Sequence, residues 1–187
     1  MNWNNFLKVT IITFWVLLMV LGGLIGYINY IHYERIGKYP INTAKYPHDV
    51  GYINPKTAAF SEGFARCDTT LKPQGYYHSE RNIFKDGKYQ FRKTISKKYE
   101  NNGYTDSGFL NLRFLVNCNG DVGNVEINEL NSDYQQTDLN NELVDQLVNL
   151  SIAKENWTPK EIGGKTYDSY MYLIFKIENG EVLEILP

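Results

Sequence analysis

The sequence predicts an α+β protein in which an N-terminal transmembrane helix precedes a small antiparallel sheet with two helices on one face. Three patterns support this fold class: an uncharged apolar run, strands of alternating apolar residues that end in turn dipeptides, and two segments with helical periodicity. Of the 187 residues, 19 are Lys or Arg and 21 are Asp or Glu. This balance lacks the basic footprint of nucleic-acid binding, so no nucleic-acid partner is expected.

The apolar run covers residues 9–31 and contains no charged side chain. As a helix it is about 35 Å long, enough to cross a hydrocarbon core of about 30 Å. The alternative is a cleaved signal peptide, whose apolar region of about 7–15 residues is followed by small residues. Here the run ends in bulky residues, Tyr27, Tyr30 and Tyr33. We therefore predict a retained anchor, residues 1–31, that contacts the lipid bilayer through residues 9–31.

The chain after the anchor divides at a change of composition. Residues 32–54 are polar and Tyr-rich, contain prolines and have no helical period, so they are predicted to be a connector. The remainder, 55–187, is long enough for one well-packed domain and too short for two ordinary ones. Within it we distinguish a core of about 88–187 from an N-terminal extension, 55–87.

Periodicity and turn signals predict the elements of the domain in order. These are a strand over 76–84, a helix over 88–100, strands over 109–118 and 122–130, a helix over about 139–150, and strands over 165–177 and 182–186. In the second strand of the first hairpin, Val125 and Ile127 are predicted to point inward. Asp138 is the predicted N-cap of the second helix. Asn179-Gly180 is the strongest hairpin dipeptide in the chain.

Two cysteines, Cys67 and Cys118, both lie in the predicted domain. An even number of cysteines is typical of one disulfide in an oxidising compartment, and the alternative is a pair of buried thiols. Neither cysteine has a CxxC partner and the three histidines are scattered, so no metal site is predicted.

The residues also raise the hypothesis of a catalytic role for Cys67. With Asp68 and His78 this cysteine has the residue types of a nucleophile triad, but nothing in their local sequence supports that arrangement. We therefore predict no enzyme activity, no cofactor and no small-molecule substrate.

Four segments together resemble the C-terminal domain of the TonB family, in the form common in Bacteroidota. They are the hairpin FLNLRFLVNCNGDVGNVEI, the leucine-striped helix that runs into Trp157-x-Pro159, the pair Gly164-Lys165, and the closing hairpin SYMYLIFKIENGEVLEI. They cover about half of the chain in the family's order. The upstream segment Phe60–Phe64 stands where these domains often carry an aromatic–glycine motif.

The resemblance implies a setting and a mode of binding. The family's setting is a bacterial inner membrane with the C-terminal domain in the periplasm, whereas Lys8 on one side of the anchor and Arg35, Lys38 and Lys45 on the other lean slightly the other way. In the family the penultimate strand adds a strand from a protein partner. The corresponding residues here are Ser169, Tyr170, Met171, Tyr172, Leu173, Ile174, Phe175, Lys176 and Ile177. The alternative is that the chain's own C-terminus or residues 76–85 block this edge.

Two departures separate this chain from energy transducers of outer-membrane transport. Those proteins carry a long Pro/Lys-rich segment across the periplasm, and here the connector is short. They also typically carry a histidine in the membrane helix, whereas residues 9–31 contain no ionisable group that could serve as a proton site. We therefore expect a tethered module that binds a partner of the cell envelope, with an energy transducer on a non-standard anchor as the alternative.

Overall fold

The computed structural model describes residues 3–36, 42, 44–45, 47–48, 51–75, 79 and 82–186. The chain forms two compact units, residues 1–50 and 51–187.

The first unit contains a continuous helix, α1 (Trp3–Ile36). Its segment Phe6–His32 contains an 18-residue stretch with a mean hydropathy of 2.4 and no buried residue. Apolar side chains surround the helix on all sides, rather than forming the single stripe of a helix that lies on a protein core. α1 is therefore long and apolar enough to span a membrane, and it extends through the first residues of the predicted connector, 32–54.

The second unit is built on a four-stranded antiparallel sheet. Its strands, in spatial order, are β2 (Val122–Asn131), β1 (Gly108–Val116), β5 (Ser169–Glu178) and β6 (Glu181–Leu186). A separate two-stranded ladder joins β3 (Lys160–Ile162) to β4 (Lys165–Tyr167), and the helices are α2 (Gly87–Lys98) and α3 (Asn141–Ile152). An N-terminal apolar helix, a small antiparallel sheet and two further helices confirm the predicted α+β class.

The buried side chains of α2 and α3 form one hydrophobic cluster with the inward residues of β1 and β5. Trp157 joins these layers, because its ring centroid lies 5.0–5.4 Å from those of Phe84, Phe91 and Phe114. Its indole N–H donates a hydrogen bond of 2.8 Å to the carbonyl of Ser151, so the polar atom of this buried ring is satisfied.

α3 begins later than predicted. Its N-cap is Asn140, whose side-chain oxygen accepts hydrogen bonds of 3.0 and 3.2 Å from two N–H groups of the first turn. The sequence predicts Asp138 as the cap, and both Asp and Asn are favoured at an N-cap. The helix starts after Leu139 because this residue is held outside it. Leu139 is buried in the core, and its N–H donates to the Glu129 carboxylate at 2.7 Å.

Three other predictions differ from the structure in detail. The predicted strand 165–177 is interrupted at Asp168, so its first residues pair with β3 while the rest pair with β1. Ile127 lies opposite Leu112 but is 36% exposed, because β2 is the outer strand on that side of the sheet. Most of the predicted strand over 76–84 lies outside the described residues.

The end of the predicted connector belongs to the domain. Ile53 is buried, and the carbonyl of Gly51 accepts a hydrogen bond of 2.6 Å from Arg113. Further along, Ala59 and Val125 exchange two backbone hydrogen bonds of 2.8 Å. The domain therefore begins near Gly51, and the extension is attached to β1 and β2.

The Asn179-Gly180 hairpin forms as predicted. Both residues have positive φ, 50° and 76°, which a two-residue type I′ turn requires. A Cβ atom on Gly180 would lie 2.2 Å from the carbonyl oxygen of Tyr104, whereas Gly163 also has positive φ, of 59°, but open space around it. An alanine at Gly163 would therefore meet backbone strain alone, whereas an alanine at Gly180 would meet both backbone strain and a steric overlap.

We expect Gly163→Ala to lower the free energy of unfolding by about 1 kcal/mol through the positive φ alone. Gly180→Ala should lower it by about 1–3 kcal/mol more, because the backbone of Tyr104 has to move. Urea unfolding of the full chain in detergent, followed by near-UV circular dichroism, measures both. Equal losses in the two variants would contradict the close approach at Gly180.

Candidate functional site

The strand that the sequence predicts for partner binding lies inside the sheet. β1 pairs with it along its whole length, from Ser169 to Ile177. On the other side β6 pairs with Ile174–Glu178. Near Ser169, Gln74 donates to the carbonyl of Asp168 at 2.9 Å and accepts from the N–H of Tyr170 at 2.8 Å. The chain's own C-terminal strand thus covers half of this edge, so a partner that pairs with β5 itself has to displace β6.

The side chains of β5 alternate between two environments, as the sequence pattern predicts. One set is buried against the helices: Ser169, Met171, Leu173, Phe175 and Ile177. The other set is half-buried or exposed on the opposite face: Tyr170, Tyr172, Ile174 and Lys176. A partner can reach only the second set without opening the core.

The two outer strands of the sheet differ in how their edges are covered. Along β2, residues 59–60 bond to Asn124 and Val125, and residues 135–137 bond to Glu129 and Asn131. β6 forms its backbone ladder with β5. On its other side, no backbone hydrogen bond occurs within the part of the chain that the structure describes. Unpaired N–H and C=O groups on an outer strand are a template for pairing with another chain. Among the described residues, β6 is therefore the open edge of this sheet.

β6 also exposes apolar side chains along this edge. Leu183 is 54% exposed and Leu186 is 40% exposed, while Ile185 is buried and attaches the strand to the core. A groove of about 190 Å³ runs beside the strand, between residues 182–185 and the α2 side chains Arg92 and Ser96. β6 has two features that usually protect an outer strand, a bulge at Leu183 and the exposed charges of Glu181 and Glu184. The two exposed leucines add an apolar surface to this edge, which is compatible with binding.

The turn end of the β5–β6 hairpin is fastened to the segment after α2. The Tyr99 hydroxyl donates to the carbonyl of Gly180 at 2.6 Å, and the N–H of Gly180 donates to the carbonyl of Asp106 at 2.8 Å. Asn101 donates to Asn179 and Glu181. The other end of β6 is held by its ladder with β5 and by Ile185. If β6 separates from β5, it therefore opens from its C-terminal end.

Cys67 and Cys118 form a disulfide, as predicted, with their Cα atoms 5.9 Å apart. Beside it lies the buried carboxylate of Asp168, which accepts hydrogen bonds from the backbone N–H groups of Cys67, Asp68 and Cys118 at 3.1–3.3 Å. Arg66 adds a charged partner at 3.4 Å. Asp168 thus joins the extension, the β1–β2 turn and the start of β5 at one point.

Sequence reasoning did not find Asp168, because its three backbone partners lie about 50 and 100 positions away and no local motif marks it. The acid falls inside an alternating strand pattern, where a single polar residue indicates a solvent-facing position. The interruption of the strand at position 168 can be predicted only when it is known that the two cysteines meet there.

The structure also places the residues considered for catalysis and metal binding. The sulfur of Cys67 is in the disulfide, the carboxylate of Asp68 accepts from Thr70, and His78 lies outside the described residues. Hydrogen bonds from Thr70 lower the pKa of Asp68. Ligand atoms of Cys67, Cys118 and Asp168 lie within 4.8 Å of one another, but the disulfide uses both sulfurs.

The exposed face of the sheet carries a shallow pocket of about 450 Å³. Its charged members, Arg113 and Glu126, form an ion pair of 3.1 Å across the β1–β2 ladder. Tyr172 and Ile174, from the predicted binding strand, line the same pocket.

No protein-family model, no curated protein and no solved structure matches this chain. The TonB resemblance therefore rests on the four sequence segments, and the prediction of a protein partner rests on that resemblance and on the open edge at β6.

Removing the Cys67–Cys118 bond by a double Ser substitution should lower the free energy of unfolding by about 4 kcal/mol, from the entropy of a loop of about 50 residues. Asp168→Asn should cost about 1–3 kcal/mol, because an amide cannot satisfy all of its donors. The costs should be non-additive by more than about 0.5 kcal/mol, since the disulfide holds those donors in place. Asp133→Asn, at an exposed site, is the control. Strict additivity in urea unfolding would show that Asp168 acts independently of the disulfide.

Burial raises the pKa of Tyr99 to about 12, with smaller contributions from Glu181, Tyr104 and Asp106. The folded state therefore favours the neutral phenol, whose contribution to stability is complete below about pH 10 and is lost as the pH rises to about 12. Tyr99→Phe should remove this part of the alkaline loss of stability, and Tyr89→Phe, at an exposed tyrosine of α2, should retain it. Urea unfolding at several alkaline pH values checks the expectation. Parallel profiles for the wild-type chain and Tyr99→Phe would contradict it.

Proposed function

We propose that this chain is a single-pass membrane protein whose C-terminal domain holds a protein partner by strand addition at the β5–β6 side of the sheet. The observation that carries the proposal is the unequal covering of the two edges. The chain covers β2 with its own residues, whereas no described residue bonds to the outer edge of β6, where Leu183 and Leu186 are exposed. Backbone pairing supplies affinity and alternate side chains supply specificity in this mode of recognition.

The proposed location is a bacterial inner membrane with the domain in the periplasm. α1 is long and apolar enough for the anchor, and the disulfide suits an oxidising compartment. The TonB resemblance supplies the orientation. The lack of an acidic, basic or histidine residue within 9–31 favours a binding module over an energy transducer.

The first experiment blunts the open edge. Leu183→Lys with Leu186→Lys places charges on β6, which is how natural sheets prevent strand pairing. A photo-reactive amino acid at Glu184 should crosslink a partner in the cells that express the chain, and the double substitution should reduce the crosslinked yield about tenfold or more, corresponding to about 1.4 kcal/mol. Ile162→Lys, at an exposed apolar residue of β3, is the matched control and should change nothing. A double variant that crosslinks as well as the control would refute strand addition here.

A second experiment decides which strand the partner pairs with. Ile174 and Leu186 lie opposite each other in the β5–β6 ladder, so a Cys at each position should lock the two strands together while the photo-reactive amino acid stays at Glu184. The lock should abolish crosslinking if the partner replaces β6 on β5, as the resemblance implies, and should preserve it if the partner adds to the outer edge of β6. Each single Cys variant is the control. A wild-type chain that yields no crosslinked protein would overturn both forms of the proposal.

A further inference from the structure

The distribution of charge in the domain is strongly uneven. Residues 85–98, which include α2, contain six basic residues and one acidic residue, a net charge of +5. The rest of 51–187 contains nine basic and eighteen acidic residues, a net charge of −9. A concentration of one sign on a domain of the other sign produces a directed field and favours an oppositely charged partner.

The helical geometry of α2 places most of these charges on its outer side. Phe91 and Ile95 are buried, while Tyr89, Lys93 and Lys97 follow one another every four residues on the opposite face. Arg92 lies beside this row and is also exposed. We call Tyr89, Arg92, Lys93 and Lys97 the cationic stripe.

Within the described residues, the cations of the stripe form no ion pair. No carboxylate of the described residues forms an ion pair with Arg92, Lys93 or Lys97, whereas the neighbouring Lys98 lies 4.0 Å from Glu155. Tyr89 is 78% exposed on the same face. Lys and Arg side chains near an anionic membrane surface are attracted to it by about 1 kcal/mol each, and tyrosine rings favour the headgroup level.

We infer that the cationic stripe binds the anionic phospholipid headgroups of the bilayer that carries the anchor. This rests on the proposed anchoring by α1. Residues 37–50 join the helix to the domain and reach at most about 50 Å when fully extended, so a lipid surface is always near. The tether makes weak headgroup contacts effective, because it keeps the local lipid concentration high. Such contacts act over a Debye length of about 8 Å at physiological salt.

Lipid is favoured over an acidic protein as the occupant because the stripe is short and made of flexible cations, which suits a surface of many equivalent headgroups better than a defined pocket. The groove at β6 lies beside the stripe and is lined by Arg92. Docking of α2 on lipid would therefore place the open edge close to the membrane.

The test uses the full chain in nanodiscs. The described chain has no free cysteine, so Tyr89→Cys provides a single site for a fluorophore. Tyr134→Cys is the matched control, since Tyr134 is also an exposed tyrosine, at 70%. Discs of phosphatidylcholine alone are compared with discs that contain about one quarter phosphatidylglycerol, with the same amount of a quencher lipid in both.

Quenching at position 89 should be at least about twofold stronger in the anionic discs, absent at position 134, and abolished by about 0.5 M NaCl. Lys93→Glu with Lys97→Glu should remove it, and Lys56→Glu with Lys165→Glu, at exposed sites outside α2 and β5, should not, although the net charge changes equally. Equal quenching in both kinds of disc, or equal loss in both double variants, would overturn lipid docking.

The outcomes also separate this inference from the proposals on which it rests. A chain that does not co-elute with the discs overturns the anchoring itself. A chain that co-elutes but shows no quenching at position 89 overturns only the lipid docking. Capture of an acidic protein by a photo-reactive residue at Lys93, together with absent quenching, assigns the stripe to a protein instead. Binding at β6 is measured independently by the crosslinks at Glu184.

Discussion

The central ladder between β1 and β5 is the constraint on which the rest of the domain depends. The two strands pair without interruption from Val116 opposite Ser169 to Gly108 opposite Ile177. Each strand buries alternate side chains beneath the same two helices, so a shift of one residue would move every apolar side chain to the wrong face. The positions of β2, β6, α2 and α3 follow from this register.

The sequence predicted the elements whose periodicity is set by local geometry. Alternation in β1 and β5, the leucine stripe of α3 and the Asn179-Gly180 turn all report a backbone conformation that neighbouring residues share. The disulfide was predicted from cysteine count and compartment, with free thiols as the alternative. What the sequence did not predict depends on contacts between distant residues. Asp168 ends β4 because it collects donors from the two cysteine segments, and Leu139 delays α3 because the core holds it.

The candidate site shows the same division. The hairpin dipeptide at Asn179-Gly180 itself implies that β6 folds back on β5, whereas the family resemblance led to β5 as the pairing strand. The open edge at β6 is a property of the whole sheet, because it depends on the extension covering β2 and on nothing described covering β6. The cationic stripe was visible in the residues of α2, but the whole-chain balance of 19 basic and 21 acidic residues concealed it.

The disulfide has a mechanical consequence if the proposed anchor and the proposed partner at β6 pull on the domain from its two ends. Tension that enters through α1 and leaves through β6 would reach Cys67, cross the covalent bond to Cys118, and continue along the chain. Residues 68–117 lie inside the closed loop, so α2 and β1 carry none of the load along their backbone. If the pull strips the extension from the sheet, the detachment of the chain therefore ends at Cys67, and α2 and β1 stay folded.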